Sequence, residues 1–137
     1  MTHTPFLPGL PDLPEYPAPP ETVDAGELAR RLRRSRLRVS TEAALQDSIA
    51  EALTRADVAF EREARLGPGE RPDFLVGGVA VEAKARYTKR AILRQLERYA
   101  RHDRVTGLVL VIGTAMGVPP EIGGKPVHVV SAGKAAL

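Results

Sequence analysis

Two consecutive glycines, Gly77 and Gly78, stand between PDFLV at 72–76 and VAVEAKA at 79–85, and they constrain the fold more than any other feature of the chain. Gly-Gly tolerates the positive φ angles of a two-residue hairpin turn, so the two runs read as antiparallel strands in a single register. Val76 then faces Val79, Leu75 faces Ala80, Phe74 faces Val81 and Asp73 faces Glu82. By the period of two, Phe74, Val76, Val79, Val81, Ala83 and Ala85 share a core face. The other face collects Arg71, Asp73, Glu82, Lys84 and Arg86, with Leu75 and Ala80 at its turn end.

Opposed residues of an antiparallel pair have Cβ atoms about 4.5–5.5 Å apart, and like charges there destabilise the sheet. Asp73 opposite Glu82 therefore needs a compensating cation. Two readings supply one. A divalent metal suits hard carboxylate and carbonyl oxygens. Alternatively, Asp73, Glu82, Lys84 and Arg71 form a solvent-facing ladder in which each pair contributes only about 0–1 kcal/mol.

The flanking sequence places this hairpin within one α/β domain at 24–137. A helix is expected from about Thr41 to Ala56, because Leu45, Ile49, Ala52, Leu53 and Ala56 recur at helical spacing, with Ser40 or Thr41 as its cap. Leu45, Ile49, Leu53 and Ala56 span about 80° of that helix, and Glu42 falls inside the same arc, which turns its carboxylate inward. A first-turn anion interacting with the helix dipole accounts equally for Glu42. VAFEREARL at 58–66 reads as a strand, and GPGE at 67–70 as a turn. A further helix runs from about Lys89 to His102, with Ile92, Leu96 and Tyr99 on one stripe. LVLVI at 108–112 has the continuous apolar character of a strand covered on both faces. Gly113 to Pro126 reads as loop, and PVHVV at 126–130 as a last strand at an edge, because Pro126 opens it.

Composition limits the chemistry. No cysteine is present among the 137 residues, which excludes disulfides, thiolate zinc sites and cysteine nucleophiles. His3, His102 and His128 have no ligand-like spacing. Seven of the twelve prolines fall in residues 1–23, which reads as an arm outside the core; disorder is the favoured expectation, and the alternative is a segment extended on a protein partner with Phe6, Leu7, Leu10 and Tyr16 as anchors. No apolar run reaches the about 20 residues of a bilayer span, so a cytoplasmic protein without membrane contact is expected. Sixteen of the twenty cations are Arg, six of them between positions 30 and 38, in a short helix that begins from Asp24 and whose basic part is read over 28–38. Guanidinium binds phosphate in a bidentate fashion, which points to nucleic acid; a solvated helix face, or a coding bias towards Arg, accounts for the same count.

Pro72-Asp73, eight intervening residues, then Glu82-Ala83-Lys84, with Glu42 on the preceding helix, resembles the PD-(D/E)XK nuclease superfamily, and the expected αβββαβ order is similar to its shared core. The resemblance covers about residues 40 to 130. It implies a restriction-endonuclease-like fold and a metal-dependent DNA nuclease, with Mg²⁺ or Mn²⁺ held by Asp73, Glu82, the Ala83 carbonyl and Glu42. Lys84 would orient or deprotonate the attacking water. Gln95 matches a glutamine that several branches carry near the site, with Tyr99 one turn later; Glu63 ranks below Glu42 as a further acid. Arg30, Arg31, Arg33 and Arg34, together with Arg86, Lys89, Arg90 and Arg94, would contact DNA phosphates. No module for reading sequence is evident, so structure-directed cleavage, as in the similar small junction resolvases, and a homodimer are the expectations. The rival expectation is a non-catalytic nucleic-acid-binding or interaction domain on the same fold.

Overall fold

The structure, a computed structural model, describes residues 22–133; the proline-rich arm lies almost wholly outside the described residues. The chain runs α1 (Ala25–Arg33), α2 (Glu42–Arg55), β1 (Glu61–Arg62), β2 (Phe74–Val76), β3 (Val79–Lys84), α3 (Lys89–Ala100), β4 (Gly107–Ile112), β5 (Glu121–Ile122) and β6 (Lys125–Ser131). Each helix begins at a side-chain cap. Asp24 accepts from the Glu27 amide at 2.9 Å, Thr41 from Ala44 at 3.0 Å and Thr88 from Ala91 at 3.2 Å. These caps satisfy amides that have no partner within the helix.

The six strands form one mixed sheet in the order β1-β2-β3-β4-β6-β5. The hairpin adopts the expected register, Phe74 with Val81, Leu75 with Ala80 and Val76 with Val79. Gly77 and Gly78 carry φ of 51° and 94° at its turn. Parallel pairing joins β3 to β4 and β4 to β6, so β3 and β4 form the centre of the sheet. Their residues are buried throughout, as the apolar run at 108–112 implies for β4.

Helices cover both faces. On one, α1 and α2 pack Leu28, Leu32, Leu45, Ile49 and Leu53 against Phe74, Val76, Val81, Val109 and Val111. On the other, α3 packs Ile92, Leu96 and Tyr99 against Leu75, Ala80, Leu108 and Leu110. The face of the hairpin that carries Glu82 and Lys84 is therefore covered rather than open to solvent. Each α/β layer supports the other through the same two central strands. Among the described residues no helix is long and apolar enough to cross a membrane.

Four expectations are corrected. The strand read over 58–66 contracts to Glu61–Arg62, because Asp57 and Glu63 adopt left-handed φ of 57° and 50° and turn the chain on either side. The region read as loop from Gly113 to Pro126 contains β5, which folds back on β6 through Gly123 and Gly124. Consequently β6 is not outermost, since β5 pairs with it at Lys125 and Pro126. The helix read from Asp24 and carrying its basic residues through 38 does begin after Asp24, but it ends at Arg33, capped at Arg34, and Arg36 and Arg38 lie in the connection to α2.

Gly107 marks where α1 meets the sheet. A Cβ there would lie 2.9 Å from the Cβ of Ala25. Overpacking of this kind costs about 1–3 kcal/mol. Urea denaturation of Gly107→Ala should show a loss in that range, whereas Gly117→Ala, with open space around its Cβ, should match the wild type.

Candidate active site

β3 carries Glu82 and Lys84 two residues apart, and therefore on one side of the sheet, while Asp73 stands immediately before β2 in the last hairpin position. Glu82 is 4% exposed and Lys84 8% exposed. Burying a charge is costly unless it is paired and hydrogen-bonded, and here every partner can be named. The Lys84 ammonium lies 2.9 Å from Glu82 Oε2. Glu82 Oε1 accepts from the Asp73 amide at 3.2 Å and from the Tyr99 hydroxyl at 3.1 Å. Asp73 Oδ2 accepts from the Ala83 amide at 2.8 Å, and its Oδ1 from the Gln46 side chain at 3.1 Å. Two carboxylates on adjacent strands are thus cross-linked, each to the backbone of the opposite strand.

The electrostatics follow from this crowding. Burial pushes the Glu82 carboxyl up to about 6, and the Asp73 charge adds to the effect, against the lowering influence of Lys84. Burial also raises Asp73, although the Ala83 amide and Lys84 oppose it. For Lys84, burial favours the neutral amine, but Glu82 and then Glu42 outweigh it, and the net shift is upward. At neutral pH Lys84 is therefore a protonated donor. Burial, followed by the charge on Glu82, keeps Tyr99 well above the ordinary phenol value, so it too acts as a donor.

Glu42, the first residue of α2, comes to the cluster beside Lys84. Its Oε1 is 4.0 Å from Nζ, and its Oε2 accepts from the Tyr87 hydroxyl at 3.4 Å. Tyr87 is 52% exposed, and its ring centroid lies 4.3 Å from Nζ of Lys84. Among the described residues no three His, Asp or Glu side chains converge as a ready-made metal site. Asp73 and Glu82 nonetheless fit a divalent cation by their chemistry. Both are hard oxygen donors, and the mutual repulsion that contributes to the raised Glu82 value is one that a divalent charge would relieve.

The other candidates divide. Gln95 has no hydrogen bond to the acids among the described residues; it lines a cleft of about 680 Å³ with Arg65, Arg71, Glu70 and Tyr99. Tyr99 borders this cleft and also donates to Glu82, so the cleft is separated from the cluster by the Tyr99 side chain. Glu63 is exposed and has Arg71 as its partner at 4.0 Å. His102 pairs with Glu70, fastening the 67–70 turn to the end of α3. Arg86, Lys89, Arg90 and Arg94 are exposed on the segment that follows Lys84 and on the first turns of α3. Arg33 is engaged, donating to the Val129 carbonyl at 2.8 Å. Arg30, Arg31 and Arg34 lie elsewhere, between α1 and α2.

Gln46 and Tyr87 join the cluster without having been singled out from the sequence. Gln46 follows Glu42 by four residues and so shares its side of α2, a spacing that could have identified it. Tyr87 gives no such sign, because its approach to Lys84 depends on the turn after β3. No family model matches the chain, and neither a curated protein nor a solved structure matches it at a significant level.

A pH dependence follows from Glu82. With a folded value of about 6 against an ordinary 4.5, the native state binds more protons in that window. Its contribution is fully present below pH 4.5 and is lost as pH rises through 6, a change of about 2 kcal/mol. Denaturation in metal-free buffer should show this decline, and Glu82→Gln should flatten it, leaving only the part due to Asp73.

Proposed function

We propose that the protein is a metal-dependent DNA nuclease with the αβββαβ core of the PD-(D/E)XK type. The observation that carries the reading is the meeting of Asp73, Glu82 and Lys84 at one end of the β2–β3 hairpin, with the carboxylates cross-linked through the Ala83 and Asp73 amides. Supporting it, β3 and β4 are parallel and joined through α3, and α2 brings Glu42 and Gln46 to the same end of the hairpin.

Asp73, Glu82 and the Ala83 carbonyl are the groups that would hold the cation, with Glu42 nearby as a further carboxylate. When bound, a divalent cation supplies charge stabilisation at phosphoryl oxygens and lowers the pKa of a water. The chain's own residues do the rest. Gln46 and the Ala83 amide hold the Asp73 carboxylate in place, while Tyr99 and the Asp73 amide do the same for Glu82. Lys84, held protonated, donates to the nucleophile or to a non-bridging phosphate oxygen and offsets charge developing there. It is a poor candidate for the general base. Arg86, Lys89, Arg90 and Arg94 give the approach to the site a positive potential that attracts phosphodiester backbone. One such site cuts one strand, so scission of both strands of a duplex would call on a second copy of the chain.

A panel of labelled branched, flapped, nicked, single-stranded and linear duplex DNA, with Mg²⁺ or Mn²⁺, tests the reading. Cleavage should require the metal. Asp73→Asn and Glu82→Gln should abolish it, and Lys84→Met should lower the rate by about 10²–10³, the effect of removing one preorganised charge donor. Either metal should raise the melting temperature of the wild type and not of Asp73→Asn. Failure to cut any substrate in the panel with either metal would favour a non-catalytic domain on the same fold.

A further inference from the structure

The arginines of the first connection form a feature that the carboxylate cluster does not use. Arg30, Arg31 and Arg34 from the end of α1, Arg36 and Arg38 from the connection, and Arg55 from the end of α2 line an open trough of about 1050 Å³. Only Glu27 and Glu51 bring negative charge to it, and each is paired, Glu51 with Arg38 at 2.6 Å and Glu27 with Arg30 at 4.0 Å. Among the described residues Arg31, Arg34, Arg36 and Arg55 have no acidic partner. Four like charges are therefore concentrated around one concave surface.

The placement of the trough separates it from the cluster. Taking about 100° per residue, Glu42 and Gln46 lie within about 40° of one another on α2, whereas Ser48, Glu51 and Arg55 lie roughly 180–240° round from Glu42. The trough thus occupies the opposite side of α2 from the acids. Arg55 lies thirteen positions after Glu42, about 20 Å along the axis. Arg55 is therefore too far from Glu42, and on the wrong side of α2, to contact a phosphate that sits at Asp73 and Glu82.

The connection between the helices is fixed in shape. The Arg38 amide donates to Ser48 Oγ at 3.0 Å, and Ser48 is itself buried and bonded to the Leu45 carbonyl at 2.8 Å. The trough is therefore set before any ligand arrives, and its charge is guanidinium, which pairs with two phosphate oxygens at once. Arg30 and Arg34, four residues apart, are spaced about 6 Å along α1. That step suits a repeating phosphate backbone better than a single small anion.

We propose that this trough is a second nucleic-acid site, one that grips a stretch of DNA backbone distinct from the stretch at the carboxylates. The identity of the ligand as DNA rests on the nuclease reading. The trough itself does not depend on catalysis, and the two ideas can fail separately.

Fluorescence anisotropy with a labelled 30-base-pair duplex across a NaCl series, comparing wild type, Arg31→Gln/Arg34→Gln/Arg55→Gln and, as a control at an exposed arginine outside the trough and the carboxylate cluster, Arg101→Gln, tests the proposal. All three arginines of the triple variant are exposed or lack side-chain partners among the described residues, and thermal melting should verify an unchanged fold. The triple variant should bind at least about tenfold more weakly, and its logarithmic salt slope should fall by up to about 0.9 for each phosphate it no longer neutralises. Arg101→Gln should bind nearly as the wild type does. Unchanged affinity and slope in the triple variant, or no duplex binding by the wild type, overturns the proposal. So does a triple variant that no longer binds labelled polyglutamate yet keeps its affinity for DNA, which would reassign the trough to acidic protein. Trough-dependent binding without cleavage of any DNA would sink the nuclease reading and leave the trough standing.

Discussion

The rest of the site depends on one buried contact, the 2.9 Å approach of the Lys84 ammonium to the Glu82 carboxylate. Replacing a buried ion pair by apolar residues of similar volume is often neutral or stabilising by about 1–4 kcal/mol, so such a pair is a weak means of holding a fold together. The central strands here do not need it. Val79, Val81 and Ala83 on one face, with Leu108 and Leu110 on the other, already provide an apolar centre. The pair instead imposes conditions on its surroundings. Glu82 needs further donors, which Tyr99 and the Asp73 amide supply, and Asp73 must then be held in turn by Ala83 and Gln46. A fully paired polar group in a core whose apolar residues do not need it is what the proposed metal chemistry would call for.

The fold makes that arrangement possible by covering the sheet on both faces while leaving one end accessible. α3 brings Tyr99 to one side of the hairpin end, and the first turns of α2 bring Glu42 and Gln46 to the same region from the other helical layer. Asp73 precedes β2, so its side chain is not restricted to either face and can meet both. A cleft beside Tyr99 lies next to the cluster, bordered by the 67–70 turn that the contact between Glu70 and His102 fastens in place.

What is legible in the sequence is local. The hairpin register requires only Gly77, Gly78 and alternation, and the helix starts require only Asp24, Thr41 and Thr88 with the periodic residues after them. The central strand β4 is legible because burial on both faces leaves a continuous apolar run. β5 escapes notice although Gly123-Gly124 repeats the glycine pair of the hairpin; a two-residue strand is too short to show a period. β1 reads too long because apolar residues continue past Glu63, whose left-handed backbone ends the strand. Asp73, Glu82 and Lys84 can be grouped from register alone. The hydrogen bonds that Gln46, Tyr87 and Tyr99 make, and the position of the arginines, depend on how the helices cross the sheet, which no short window of sequence contains.

The separation of charge bears most directly on why the arginines stand where they do. A guanidinium within reach of Asp73 or Glu82 would form a bidentate pair, stay charged at any accessible pH and fill the carboxylate positions that a cation would need. Lysine is a point charge with one flexible stem, and Lys84 engages only Oε2 of Glu82, while Oε1 is left to hydrogen bonds that can lengthen or shift. α2 serves as the partition: its acidic and amide residues, Glu42 and Gln46, face the cluster, and Arg55 faces away. Binding and chemistry make opposite electrostatic demands, a dense positive surface for backbone phosphates and a cluster of negative oxygens for a metal. On the proposed reading, placing the trough and the acids on opposite sides of a helix about 10–12 Å across would meet both demands without letting the trough arginines neutralise the acids.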